Sequence, residues 1–202
     1  MHTFCVGILR ARSGIRSAHR ARQREAVAMA WDFSEETVRV LIDGLPEPPP
    51  VAVPGLTFPA ALHRGDYFGA VLFLRLWRDG NWDSDTAITY REGTGWAHPS
   101  SCGGGGWTNP YNRPNDGWNG DPLMICGGSG SGMDDDDGHF RNATAVDGLA
   151  AKAVAAIEYT TAGKTLQYPI DSPLGAFVIV VESDEQPMLS ARGRDGSPLA
   201  SI

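Results

Sequence analysis

Residues 154–170 read VAAIEYTTAGKTLQYPI, and this stretch decides the fold class. Ala155, Ile157 and Tyr159 alternate with polar or small neighbours, Ala162-Gly163 turns the chain, and Leu166, Tyr168 and Ile170 then share one face. A period of two marks half-buried strands, and two such runs around a turn mark a hairpin. The pattern continues downstream. Asp171-Ser172-Pro173 interrupts it, and Phe177, Ile179 and Val181 form the next inward row. Gln186-Pro187 turns, Met188 to Arg192 extends, and Asp195-Gly196 leads into a last short strand around Leu199. Strands at roughly 8–12-residue spacing with turn signals between them predict a mainly β protein, an antiparallel sandwich or barrel.

Upstream, Tyr67 to Trp77 reads as a strand apolar enough to be covered on both faces for much of its length. Asp79-Gly80 predicts a type I′ hairpin, since both central positions need positive φ. The return strand runs from Trp82 through Tyr90, and Gly93-Thr94-Gly95 turns again. Residues 25–45 predict a helix. Ser34 serves as N-cap with Glu35 and Glu36 in the first turn, where the dipole favours negative charge. Phe33 and Val38 form a staple, Val38, Leu41, Ile42 and Leu45 an apolar stripe, and Gly44 a stop. From Pro46 through Pro48-Pro49-Pro50 to Pro54 and Pro59 the chain is a stiff connector.

Six arginines and no acid fall in residues 1–24, which leaves eleven basic residues against 24 acidic ones over the rest. A body that acidic argues against nucleic acid, because phosphate contacts need clustered Lys and Arg. Residues 1–28 are expected to be a disordered basic arm, or an upstream extension with Met29 as the true start. Fifteen arginines against two lysines fit a GC-rich bacterial genome. No run of about 18 apolar residues exists to span a membrane, and with no secretory leader the expected location is cytoplasmic. In that reducing setting Cys102 and Cys126 read as two thiols, with a bridge between them as the alternative. Residues 29–62 are then helix and Pro-rich connector, and 63–202 a β domain with a loop inserted over 101–148.

Gly163-Lys164-Thr165, Pro169-Ile170, Gly175-Ala176-Phe177 with Val180-Val181, and Asp195-Gly196 form a recognisable series. The tail from Val154 to Ile202 resembles the C-terminal β-module of uncharacterised actinobacterial proteins. Arg78 to Trp82, Tyr90-Arg91 and Gly103 to Trp107 are similar to their front half. The resemblance implies an immunoglobulin-like fold, and it implies no activity and no catalytic residues.

Ser101 to Gly138 carries glycine runs, two tryptophans, two cysteines and four successive aspartates. A loop this long inside a compact domain is usually functional or disordered. Trp96, Trp107, Tyr111 and Trp118, interleaved with amides and acids that include Asn115 and Asp116, suit sugars or peptides by joining apolar contact to directed hydrogen bonds. The competing reading makes these rings lids on an open end of the sandwich. His98, Cys102, Cys126 and His139 are zinc-type ligands without the spacing of two close pairs. Asp134, Asp135, Asp136 and Asp137 offer oxygen ligands for calcium without EF-hand spacing. No motif names a reaction and no cofactor is expected. The resulting expectation is a non-catalytic module that binds another protein. The alternatives are a hydrolase or transferase built on the loop's His and Cys residues, and a carbohydrate- or calcium-binding module.

Overall fold

The computed structural model describes residues 33–47, 51–134, 138–161 and 163–201, with backbone alone for 98–105, 200 and 201. The basic arm, the start of the expected helix, Pro48-Pro49-Pro50 and Asp135 to Asp137 lie outside the described residues. Among the described residues the chain is mainly β, with antiparallel sheets and one short α-helix.

Helix α1 (Ser34–Asp43) is followed by β1 (Thr57–Arg64), β2 (Phe68–Leu76), β3 (Trp82–Glu92) and β4 (Gly95–Trp107), which pair in that order as a front sheet. A central sheet has the order β5 (Leu123–Asp134), β6 (Phe140–Ala150), β9 (Ala176–Val181). A back sheet has the order β11 (Pro198–Ser201), β10 (Met188–Gly193), β7 (Val154–Thr161), β8 (Lys164–Pro169).

Alternation along the strands stacks these layers. In β2, Ala70, Leu72 and Leu74 point to the central sheet, while Val71 and Phe73 meet α1. In β9, Ala176, Val178 and Val180 face the front sheet, while Phe177, Ile179 and Val181 face the back sheet. Strand β9 and most of β6 are therefore buried on both faces, whereas β5 keeps one face open to solvent. This explains why β9 is a continuous apolar run although its pairing is antiparallel, a pattern more usual in parallel sheets.

Several expectations need correction. Phe33, not Ser34, occupies the helix N-cap, and its ring stacks on Phe73 at 4.7 Å. The buried face of α1 is Thr37, Val40 and Leu41, and Ile42 is 64% exposed. The buried stripe is thus rotated from the expected one, with Phe33, Val40 and Leu41 in one cluster with Val71 and Phe73. The connector ends early: β1 forms an edge strand in which Pro59, which has no N–H to donate, sits at a bulge. The hairpin after β2 is present, but Asp79 does not take positive φ. Trp77 N–H bonds to Asn81 O and Gly80 N–H to Trp77 O, with Gly80 alone at φ 84°. That is a three-residue type I turn with a glycine bulge. Gly193 to Ser197 repeats the same two bonds, with Gly196 at φ 79°.

The largest correction concerns residues 101–148, expected as an inserted loop. Most of that segment is strand: the end of β4, all of β5 and most of β6. From Gly127 to Asp134, β5 pairs residue for residue with β6. The glycine entropy that argued for a loop is offset by β6, which is itself held in the middle of the stack. Among the described residues no helix is long and apolar enough to cross a membrane.

Candidate functional site

What remains irregular is 108–122, which links the front sheet to the central one. Pro110–Asn112 forms a 3₁₀ turn whose start is capped by Asn109, the side-chain oxygen accepting the Tyr111 N–H at 3.0 Å. Trp118 and Asp121 exchange backbone bonds of 2.8 and 3.0 Å around Asn119 (φ 55°) and Gly120 (φ 95°). This is a two-residue turn of the primed kind, for which the Asn119-Gly120 pair is the sequence signal.

The segment is pinned to its surroundings. Arg113 donates to Ala150 O at 2.9 Å and to Pro173 O at 3.0 Å. Lys152 N–H bonds to Pro114 O at 3.0 Å, Ala153 N–H to Asn115 O at 2.9 Å, and Ala151 N–H to Pro122 O at 2.8 Å. Fixed main chain at both ends presents Tyr111, Asn112, Asn115 and Asp116 to solvent.

The four aromatic rings do not form one platform. Trp107 is 6% exposed, opposite Trp82 in the core between front and central sheets. Trp96 packs near Leu41 under α1, with the Arg91 guanidinium 4.4 Å over its ring. Trp118 is half-buried and touches the cores on both sides of the central sheet. Tyr111 is exposed, its ring 5.9 Å from that of Trp82. Of the expected ligand-binding residues, Tyr111, Asn115, Asp116 and one side of Trp118 share the connecting segment's accessible surface.

No family model, curated protein or solved structure matches this chain.

Residues with reactive side chains lie deeper. Cys126 is a free thiol, so no bridge to Cys102 is formed, and it occupies the bulge between Ile125 and Gly127 in β5. Burial, and then the charge of Asp147, push its pKa up to about 12. His139 stands at the other end of the β5–β6 ladder, next to Phe140, whose partner is Asp134. Seven register steps at about 3.3 Å each put its neighbour Phe140 roughly 23 Å from the Gly127–Asp147 pair beside Cys126, so His139 and Cys126 do not share an ion. The side chains of His98 and Cys102 lie outside the described residues, as do three of the four calcium candidates. Asp134 is an exposed strand end, and among the described residues no group of three ligating side chains converges.

Asp147 went unnoticed in the sequence. Its side chain is buried between front and central sheets, where the Thr86 hydroxyl donates to Oδ2 at 3.1 Å and Oδ1 meets no partner among the described residues. Gly127 makes room for it, since a Cβ there would lie 2.7 Å from Oδ2. Burial pushes the carboxyl pKa up to about 6, against the opposing pull of Thr86.

His63 joins all three sheets. The Val180 N–H of β9 donates to Nδ1 at 3.1 Å, so Nε2 carries the proton and faces the Tyr159 hydroxyl of β7 at 3.1 Å. Tyr168 of β8 donates to Leu62 O at 2.9 Å, and Arg64 Nε to Leu41 O of α1 at 2.7 Å. Burial drives the imidazole pKa down to about 4, although the Val180 bond acts the other way.

These two groups limit stability from opposite sides. His63 falls from an ordinary 6.5 to about 4 on folding, so stability is lost as pH drops through that window, by on the order of 3 kcal/mol. Asp147 rises from 3.8 to about 6, so stability is lost as pH climbs through that window, again by on the order of 3 kcal/mol. Thermal melts from pH 3.5 to 8 test both. His63→Asn, which keeps an acceptor near the Nδ1 position, should flatten the acid limb. Asp147→Asn should raise the melting temperature at pH 7 relative to pH 4. Limbs unchanged in these variants would contradict the assignment.

Proposed function

We propose that the protein is a non-catalytic binding module whose partner, another protein, is engaged through the 108–122 segment. The observation that carries this is the anchored segment itself: backbone bonds from Ala151, Lys152 and Ala153 and two from Arg113 hold it, while its polar and aromatic tips face water. Recognition residues sit characteristically on loops positioned by a rigid scaffold. What weighs toward binding over the hydrolase or transferase reading is the one loop thiol whose side chain is described: Cys126 stays protonated, with a pKa near 12. The finer fold reading, an immunoglobulin-like sandwich, draws support from the three-stranded central sheet packed on the four-stranded back sheet.

The test uses the full chain as bait in native lysate. The variant Tyr111→Ala/Asn115→Ala/Asp116→Ala should lose the captured partner with its melting temperature unchanged. A control on the exposed face of β8, Thr165→Ala/Gln167→Ala, should keep it. Retention by the triple variant would contradict the proposal.

A further inference from the structure

Beside the anchored segment three turns meet around an open notch of about 460 Å3, lined by Asn115, Lys152, Ala153, Arg194 and Asp195. Each wall has its own reason to be there. Asn115 is fixed by its carbonyl, which takes the Ala153 N–H, so the first and second walls are bonded to each other. Lys152 and Ala153 form the tight connection between β6 and β7, closed by Val154 N–H to Ala151 O. Arg194 and Asp195 occupy the glycine-bulge turn between β10 and β11.

Arg39, Arg75, Arg141 and Arg192 each sit against a carboxylate. Arg64 and Arg113 spend their donors on backbone carbonyls. Lys152 and Arg194, like Arg78 and Lys164 elsewhere on the surface, meet no carboxylate among the described residues, although the chain carries an acidic excess of seven. The nearest acid, Asp195, is turned to its own hairpin: Oδ1 accepts both the N–H of Ser197, at 3.0 Å, and its hydroxyl, at 2.6 Å. Those bonds hold its carboxyl below the usual range. Lys152, Arg194 and Asn115 thus line the notch together with one ionised carboxylate, Asp195, whose Oδ1 is taken up by its own turn.

We propose that this notch is an oxyanion site, taking the carboxylate or phosphate group of a small molecule. Arg194 supplies a planar fork suited to two oxygens, Lys152 a second positive charge, and Asn115 a neutral donor. Ala153 gives the remaining wall apolar contact for the body of the ligand. The site does not depend on the protein-binding reading, since the anion would be held whether or not a partner covers the segment.

The experiment is an amide NMR titration of the full chain with inorganic phosphate and, separately, with succinate. Ionic strength is held constant with sodium chloride because exposed charges are screened by salt. Saturable shifts are expected at Asn115, Lys152, Ala153 and Arg194 with at least one of the two anions. Lys152→Gln/Arg194→Gln should weaken that binding at least tenfold while leaving the melting temperature in place; if the pair of changes disturbs folding, the single variants serve. Saturation by phosphate alone assigns the site to phosphate, by succinate alone to carboxylates, and by both to oxyanions generally. Shifts that never saturate, that scatter over the surface, or that persist unchanged in the variants would overturn the proposal.

Discussion

Phe177→Ala is expected to destabilise the protein by about 3–5 kcal/mol, as deletion of a large buried ring does when the site cannot collapse. Phe177 has no exposed surface and packs with Ile157, Ile179, Leu189 and Ala191 between the central and back sheets. Its register partner is Gly148 of β6, and a Cβ on Gly148 would lie 2.8 Å from the Phe177 ring. The ring rests on bare backbone, which has no side chain to relax into the space left behind. For a chain of this size a loss on that scale lowers the melting temperature by roughly 10 °C. A near-neutral result would mean that β9 is not the middle of the stack. It would not indicate a one-residue slip, because Val178 on the other face is equally buried.

Trp107→Ala should cost about 3–5 kcal/mol, and Trp118→Ala clearly less. Trp107 closes the end of the core between front and central sheets against Trp82, with Phe58 edge-on to Trp82 at 6.3 Å between centroids. Its indole nitrogen has no hydrogen-bond partner among the described residues, so the loss is one of packing alone. Trp118 keeps part of its ring in water. Equal, small losses in chemical denaturation would place both rings on the surface and restore the idea of a shared aromatic platform.

Period-two patterning made the strands of the back sheet legible, because Ile157 and Tyr159 face one core and Glu158 and Thr160 do not, although at the start of β7 a register shift buries Val154 in place of the expected Ala155. Asp-Gly marked two hairpins in place, but the type I′ turn expected at Asp79-Gly80 is not formed, since the positive φ falls on Gly80 only. The Gly/Ser run of β5 was illegible for a physical reason. Its strand character comes from β6 alongside, a tertiary contact, and a Gly-Ser alternation carries almost no hydrophobic signal. β1 was hidden by its prolines, which an edge strand tolerates. The sequence points to the wider stretch Ser101 to Gly138, of which only 108–122 is an ordered irregular segment, and groups Trp96 and Trp107 with Tyr111 by proximity in sequence. Strand pairing sends the first two into separate cores. Asp147 and His63 gave no warning because each depends on one bond to a distant residue, Thr86 and Val180.

The central claim is that the 108–122 segment is a fixed platform and not a tether. Amide hydrogen exchange at Lys152 and Ala153 tests it most directly. Their N–H groups bond to Pro114 O and Asn115 O and to no strand partner, so they are protected only while the segment is docked. The account predicts exchange at least about a hundredfold slower than for an open chain, as expected of amides released only by local unfolding. Exchange of both amides at the rate of an unstructured peptide would contradict it.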